Sequence, residues 1–132
     1  MKKICFSLLL AFLFLPLTST GMELISTAAI SGRAVDVLLN GDDAFCADRY
    51  GLWVLDISDP QQIVSGSHWG SPGLSDAITL SGTIGYLCDG LQGLYVLDLS
   101  DPGQPAELGK VASLSSALSA LVTEDYLFVA AG

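Results

Sequence analysis

The residues best suited to chemistry occur twice. Asp56-Ile57-Ser58-Asp59 returns as Asp98-Leu99-Ser100-Asp101, and a proline, Pro60 or Pro102, follows each copy. Paired carboxylates beside a hydroxyl suggest a hard cation such as Ca²⁺. That ion takes about six to eight oxygen ligands, more than Asp-x-Ser-Asp supplies, and no Gly-rich calcium loop surrounds either copy. The spacing suits turn chemistry instead. Asp and Ser side chains bond nearby backbone N–H groups, and Pro presets φ. A single ion site would not need a copy in every unit, so recurrence favours structure.

Other candidates are sparse. His68 is the only histidine, and beside Trp69 it reads as a surface or packing residue. A zinc site needs three or four His, Cys or acidic ligands at short spacing, and none assemble. There is no Gly-x-Ser-x-Gly elbow and no phosphate-cradling loop; Gly70-Ser71-Pro72-Gly73 reads as a turn between units. Asp42-Asp43 lie in a predicted turn and read as solvated. No catalytic, cofactor-binding or metal-ligating residue is assigned, and no cofactor is expected. Binding is better sought where the copies differ, because loops carry function on a rigid scaffold. Arg49-Tyr50 and Gly90-Leu91-Gln92 fill the same loop with different chemistry. An Arg–Tyr pair can stack on or bond a polar ligand, although ordinary loop drift gives the same difference.

These residues sit in an internal repeat, the strongest signal in the chain. Gly51-Leu-Trp-Val-Leu-Asp-Ile-Ser-Asp-Pro60 recurs as Gly93-Leu-Tyr-Val-Leu-Asp-Leu-Ser-Asp-Pro102, 42 residues on, with eight of ten positions identical. Upstream, Asn40 to Asp48 align with Ser81 to Asp89 at an offset of 41, the extra residue falling in the Gly90-Leu91-Gln92 loop. A third copy begins near Ala120, with Phe128 to Gly132 opposite Tyr86 to Gly90. There Ala131 replaces Asp48 and Asp89, which predicts a lost contact.

Each unit reads as four short strands: Val35 to Leu39, Ala44 to Asp48, Leu52 to Ile57, and Ile63 to Trp69 in the first. The runs are β-branched and aromatic, and Gly, Pro, Asn, Asp and Ser fill the turns between them. In Ser113 to Val122, Leu114, Leu118 and Leu121 fall at helical spacing. The repeat assigns that stretch instead to a crossing followed by a first strand. Four strands in about forty residues is the size of a propeller blade. The fold class is therefore all-β, a β-propeller of four-stranded antiparallel blades. Blades are expected at about 31–72 and 73–116, with a partial third at 117–132. Glu23-Leu24-Ile25-Ser26 resembles the outer strand Glu107-Leu108-Gly109-Lys110, and Gly132 falls in mid-blade. The expectation is an incomplete ring, a fragment of a longer protein whose N-terminal strand completes the last blade.

The Gly-Leu-[Trp/Tyr]-Val-Leu-Asp-[Ile/Leu]-Ser-Asp-Pro segment closely resembles the LVIVD repeat family of bacterial and archaeal cell-surface proteins. The resemblance covers nearly all of residues 21–132. It implies propeller blades and specifies no reaction.

Residues 1–20 have the layout of a secretory signal peptide: Lys2-Lys3, an apolar run from Ile4 to Leu15, then small and polar residues. The run is short for a bilayer span, which needs about 20 residues. Cleavage leaves Arg33, Arg49 and Lys110 against 14 acidic residues, a net charge of −11. Such a chain repels nucleic acid, whose binding relies on Lys and Arg neutralising phosphates. Cys46 and Cys88 remain. They lie on equivalent strands one position out of phase, so they should face opposite sides. Either two buried thiols or a disulfide, which export permits, is open at this point. The expected function is a secreted, periplasmic or cell-surface scaffold that binds a protein or glycan of the envelope without catalysis. The alternative is part of a secreted hydrolase-type propeller enzyme with catalytic residues in further blades; a structural spacer ranks third.

Overall fold

The computed structural model describes residues 2–4 and 22–132. The signal segment expected at 1–20 thus lies, apart from Lys2–Ile4, outside the described residues. Two short strands, β1 (Lys2–Ile4) and β2 (Met22–Leu24), pair in parallel. The strand expected at 23–26 therefore pairs with β1 and not with a blade.

Two four-stranded antiparallel sheets follow. The first runs β3 (Asp36–Asn40), β4 (Asp43–Ala47), β5 (Gly51–Asp56) and β6 (Val64–Gly70), paired in chain order. The second runs β7 (Ala77–Ser81), β8 (Ile84–Cys88), β9 (Leu94–Asp98) and β10 (Ala106–Val111), again in order. An antiparallel hairpin, β11 (Ala117–Val122) and β12 (Leu127–Ala131), stands third. Among the described residues there is no helix. Leu118 and Leu121 are in an extended strand because β12 offers hydrogen bonds along its length, and Leu114 lies in the crossing before it. Asp43, read as part of a turn, is instead the first residue of β4 and pairs with Asp56.

The signature glycines open β5 and β9 for a steric reason. Gly51 and Gly93 have φ of +143° and +90°, and a Cβ would strike the carbonyl oxygen of Trp69 or Val111 on the outer strand. Only glycine permits that backbone approach. Both outer strands carry a register shift at matching places, opposite Trp53–Leu55 and at Glu107–Gly109, and such bulges bend a strand and increase its twist.

Alternation then sets what each sheet face buries. Phe45, Ala47, Leu52 and Val54 point from the first sheet to the second, where Ile78, Leu87, Leu97 and Leu99 meet them in one core. Trp69 and Tyr95 close its outer side edge to face, ring centroids 5.0 Å apart. The opposite face of the second sheet, with Cys88, Leu94, Tyr86 and Val96, packs on Leu114, Ala120, Leu127 and Val129 at the hairpin. First strands lie side by side, β3 with β7 and β7 with β11, while β6 and β10 stand apart. The sheets fan out from their first strands, as blades do.

Candidate functional site

Because each sheet is a meander, its connections gather at two ends. The crossings before β3, β7 and β11 share one end with the β4–β5 and β8–β9 loops. The hairpin turns and the Ser-Asp-Pro turns share the other.

At the crossing end two aspartates of equal place in the repeat are buried, Asp48 and Asp89. Asp48 follows β4. Its carboxylate accepts the Tyr50 backbone N–H and the Trp53 indole N–H, each at 2.9 Å. His68 Nε2 lies 3.5 Å from the same carboxylate, and its ring stacks at a tilt on Trp53, 4.6 Å between centroids. Asp89 follows β8. It accepts the hydroxyls of Ser75, at 2.8 Å, and of Ser71. Ser71 in turn accepts the Gly73 N–H at 3.0 Å. A buried carboxylate needs several donors to offset its lost hydration; Asp48 draws them from its own loop and from β5, and Asp89 from the crossing before β7. Glycine is required where the crossing passes: a Cβ on Gly73 would collide with the Asp89 carboxylate. Asp89 therefore ties the crossing between the first two sheets to the second.

The first and second sheets are joined more directly as well. Asp36 accepts the Ile78 N–H at 3.0 Å. Arg49 reaches Asp76 at 4.0 Å, and its Nε is buried without a hydrogen-bond partner. Arg49 has φ +74° and is the only non-glycine with positive φ among the described residues; Gly90, its counterpart, has φ +52°. Left-handed backbone costs an ordinary residue about 1 kcal/mol, so this loop holds a side chain where the repeat offers a glycine.

The surface of this end differs from the rest. Arg33, Arg49 and Lys110 all lie at it, Lys110 donating to Gln92 Oε1 at 2.9 Å over the Tyr95 ring. Tyr50, Leu74 and Leu91 are exposed beside them. Its acids are engaged: Asp48 and Asp89 by hydrogen bonds, Asp36 by Ile78, Asp76 by Arg49. At the far end stand Asp42, Asp43, Asp56, Asp59, Asp98, Asp101, Glu124 and Asp125, in turns or at the strand ends that flank them, without a lysine or arginine.

The structure separates the predicted residues. Arg49-Tyr50 and Gly90-Leu91-Gln92 share the crossing end. Asp56 and Asp98 are at the far end, where each accepts an N–H two residues on, from Ser58 or Ser100, at 2.9 Å. The Ser58 and Ser100 side-chain hydroxyls first, and then these backbone N–H groups, hold both carboxyls below the ordinary aspartate value. Asp59 and Asp101 cap the same turns. Asp43 is not simply solvated: partial burial first, then the Asp56 and Asp42 charges, push its carboxyl up. Among the described residues no group of three or more His, Cys, Asp or Glu could hold a metal ion. Cys46 and Cys88 are buried free thiols. Cys46 lies on the first sheet's outward face with Trp53, and Cys88 faces the hairpin, so they do face opposite ways. Burial, then nearby aspartates, raises both thiols to about 11.

Sequence reasoning missed Leu74, Lys110 and Ser75 as parts of this end, and placed Ser71 in the turn between units without its bond to Asp89. One signal was available, an aspartate closing an apolar strand at the same place in two copies.

Repeated four-stranded antiparallel units, splayed from their first strands and locked at one end by buried aspartates, define an all-β protein of the propeller-blade class. Within that class, the LVIVD repeat pattern matches residues 31–65 and 72–113, and the chain belongs to that family. No curated protein and no solved structure matches it.

Proposed function

We propose that the protein is a secreted or cell-surface β-propeller repeat protein that acts as a non-catalytic binding scaffold, with the crossing end as its contact face. The observation that carries this is the gathering of Tyr50, Leu74, Leu91, Arg33, Arg49 and Lys110 at that end. Aromatic and arginine-rich patches with apolar neighbours are the composition of protein-binding hot spots. The strained Arg49 loop adds weight, since strain persists where surrounding structure enforces it and gathers at functional sites. The partner that suits this surface is a protein of the cell envelope with an acidic or mixed epitope; a glycan is the alternative ligand. The blades belong to a ring around an axis near β3, β7 and β11.

The test is co-sedimentation with purified envelopes. Wild-type protein should bind, and the double variant Tyr50→Ser, Leu91→Ser should lose at least about tenfold in affinity. Protease treatment of the envelopes should abolish binding, whereas deglycosylation should not. Equal retention of wild type and variant would remove the crossing end as the contact face. Fractionation of the tagged native protein checks export: a cytoplasmic location defeats the proposal.

A further inference from the structure

The crossing between the first and second sheets, residues 71–76, is met by both variable loops. The Tyr50 carbonyl accepts the Ser71 N–H at 2.7 Å, and Arg49 reaches Asp76. From the other loop, a Cβ on Gly90 would stand 3.2 Å from the Leu74 carbonyl oxygen, and a Cβ on Gly73 would meet the Gln92 side chain. Gln92 Oε1 accepts the Lys110 ammonium. The crossing is thus flanked by two cations, and Tyr50, Leu74 and Leu91 are exposed along it. All of these residues belong to the two four-stranded sheets or to the connections within and between them.

Stability does not account for Arg49. It and its counterpart Gly90 both have positive φ, a backbone that glycine adopts freely and arginine only at a cost. Its contact with Asp76, at 4.0 Å, is too long for a hydrogen bond, and a partly exposed ion pair contributes little. Nε is buried without a partner, a further cost. The Arg49 side chain is nevertheless 37% exposed, so solvent meets the guanidinium at its terminal nitrogens. Those two nitrogens form a planar fork that fits a carboxylate end-on. The acceptor at Lys110 is neutral, which leaves that charge to act on a partner as well.

We propose that the face over residues 71–76 binds an acidic peptide segment, an aspartate or glutamate carboxylate seated end-on at Arg49 and an apolar side chain of the same segment against Leu74 and Leu91. Charge decides the sign of the ligand. On a chain of net charge −9, an arginine and a lysine beside one crossing make a local site of opposite sign, which attracts a carboxylate. The leucines decide its class. A sugar polymer has no aliphatic side chain to cover them, whereas a peptide does, and that burial adds to the charge pair. The inference rests on the crossing end being the contact face; it adds the chemistry that face recognises and the residue that reads it.

The experiment is co-sedimentation with purified envelopes, either native or with their carboxylates converted to amides by carbodiimide and methylamine. Wild type should lose at least about tenfold in affinity on amidation. Arg49→Gln should lose at least about tenfold on native envelopes and little more on amidated ones, because the two changes remove the same contact. Arg49→Gly separates recognition from folding, since glycine is what the repeat offers there. It should bind as weakly as Arg49→Gln and melt within about 4 °C of wild type. Equal binding of Arg49→Gln and wild type would overturn the proposal, as would equal losses on amidation in both. A larger fall in the Tm of Arg49→Gly would make the arginine structural, with the same consequence. Binding that survives protease but not amidation would assign the carboxylate to an acidic glycan and overturn it too. In each of these cases the contact-face reading stands if the Tyr50, Leu91 double variant still loses binding. Wild type that fails to bind envelopes at all removes both.

Discussion

The Asp89 carboxylate accepts the Ser75 hydroxyl at 2.8 Å, with both residues fully buried between the second sheet and the crossing that leads into it. Removing the acceptor strands two hydroxyls, those of Ser75 and Ser71. Asp89→Ala should therefore lower unfolding free energy by about 2–4 kcal/mol, and Ser75→Ala by about 1–2 kcal/mol. Urea unfolding followed by Trp fluorescence measures both. Equal, small effects would show that the buried aspartate does not hold the crossing.

The repeat offers an internal control for packing. Phe45→Ala empties a filled site between two sheets and should cost about 3–5 kcal/mol. Phe128→Ala, at the equivalent but exposed place, should stay within about 0.5 kcal/mol when measured on dilute protein. Comparable losses at both positions would mean that the hairpin face is covered in solution at low concentration.

Two aspartates at the turn end should respond to pH with opposite sign. Asp43 has its carboxyl raised by partial burial, then by Asp56 and Asp42. What it contributes is present below the ordinary value of 3.8 and is lost as pH rises through the raised value. Asp43→Asn should then raise Tm at pH 7, with the gain vanishing below the ordinary aspartate range. Asp98 is lowered by its bonds from Ser100. Its contribution is present above 3.8 and is lost as pH falls through the lowered value. Asp98→Ala should lower Tm at pH 7 and matter less in acid. Calorimetry across pH reads both, and a shared sign would contradict the assigned causes.

Cys46 and Cys88 should be slow to react. With both thiols raised to about 11, only about one in a thousand is thiolate at pH 8. Ellman's reagent should label neither in the native protein and both in guanidinium. An intact mass two daltons low, from a bond between them, would contradict the opposite-facing geometry.

Much of this was legible in one dimension. Gly51 to Pro60 and its copy mark β5 and β9 because the constraint is local: a glycine at the strand start, then an Asp-x-Ser-Asp-Pro turn whose bonds span two residues. The opposite facing of Cys46 and Cys88 also followed, since a strand alternates and the copies differ by one position. Asp43 was misplaced because a tight turn and the first residue of the next strand share the same polar composition.

The sequence by itself determined the repeat, the strands, the turns and the family, all of which rest on short-range backbone preferences. It could not separate Val37 from Ile78, or Phe128 from Phe45. Those pairs have the same apolar character and the same place in the unit, and only a neighbouring sheet makes one exposed and the other buried. Nor could it gather Arg33, Arg49 and Lys110 at one end. That depends on which strand ends the meander brings together, and on Asp48 and Asp89 being consumed inside the fold so that the cations are left facing solvent.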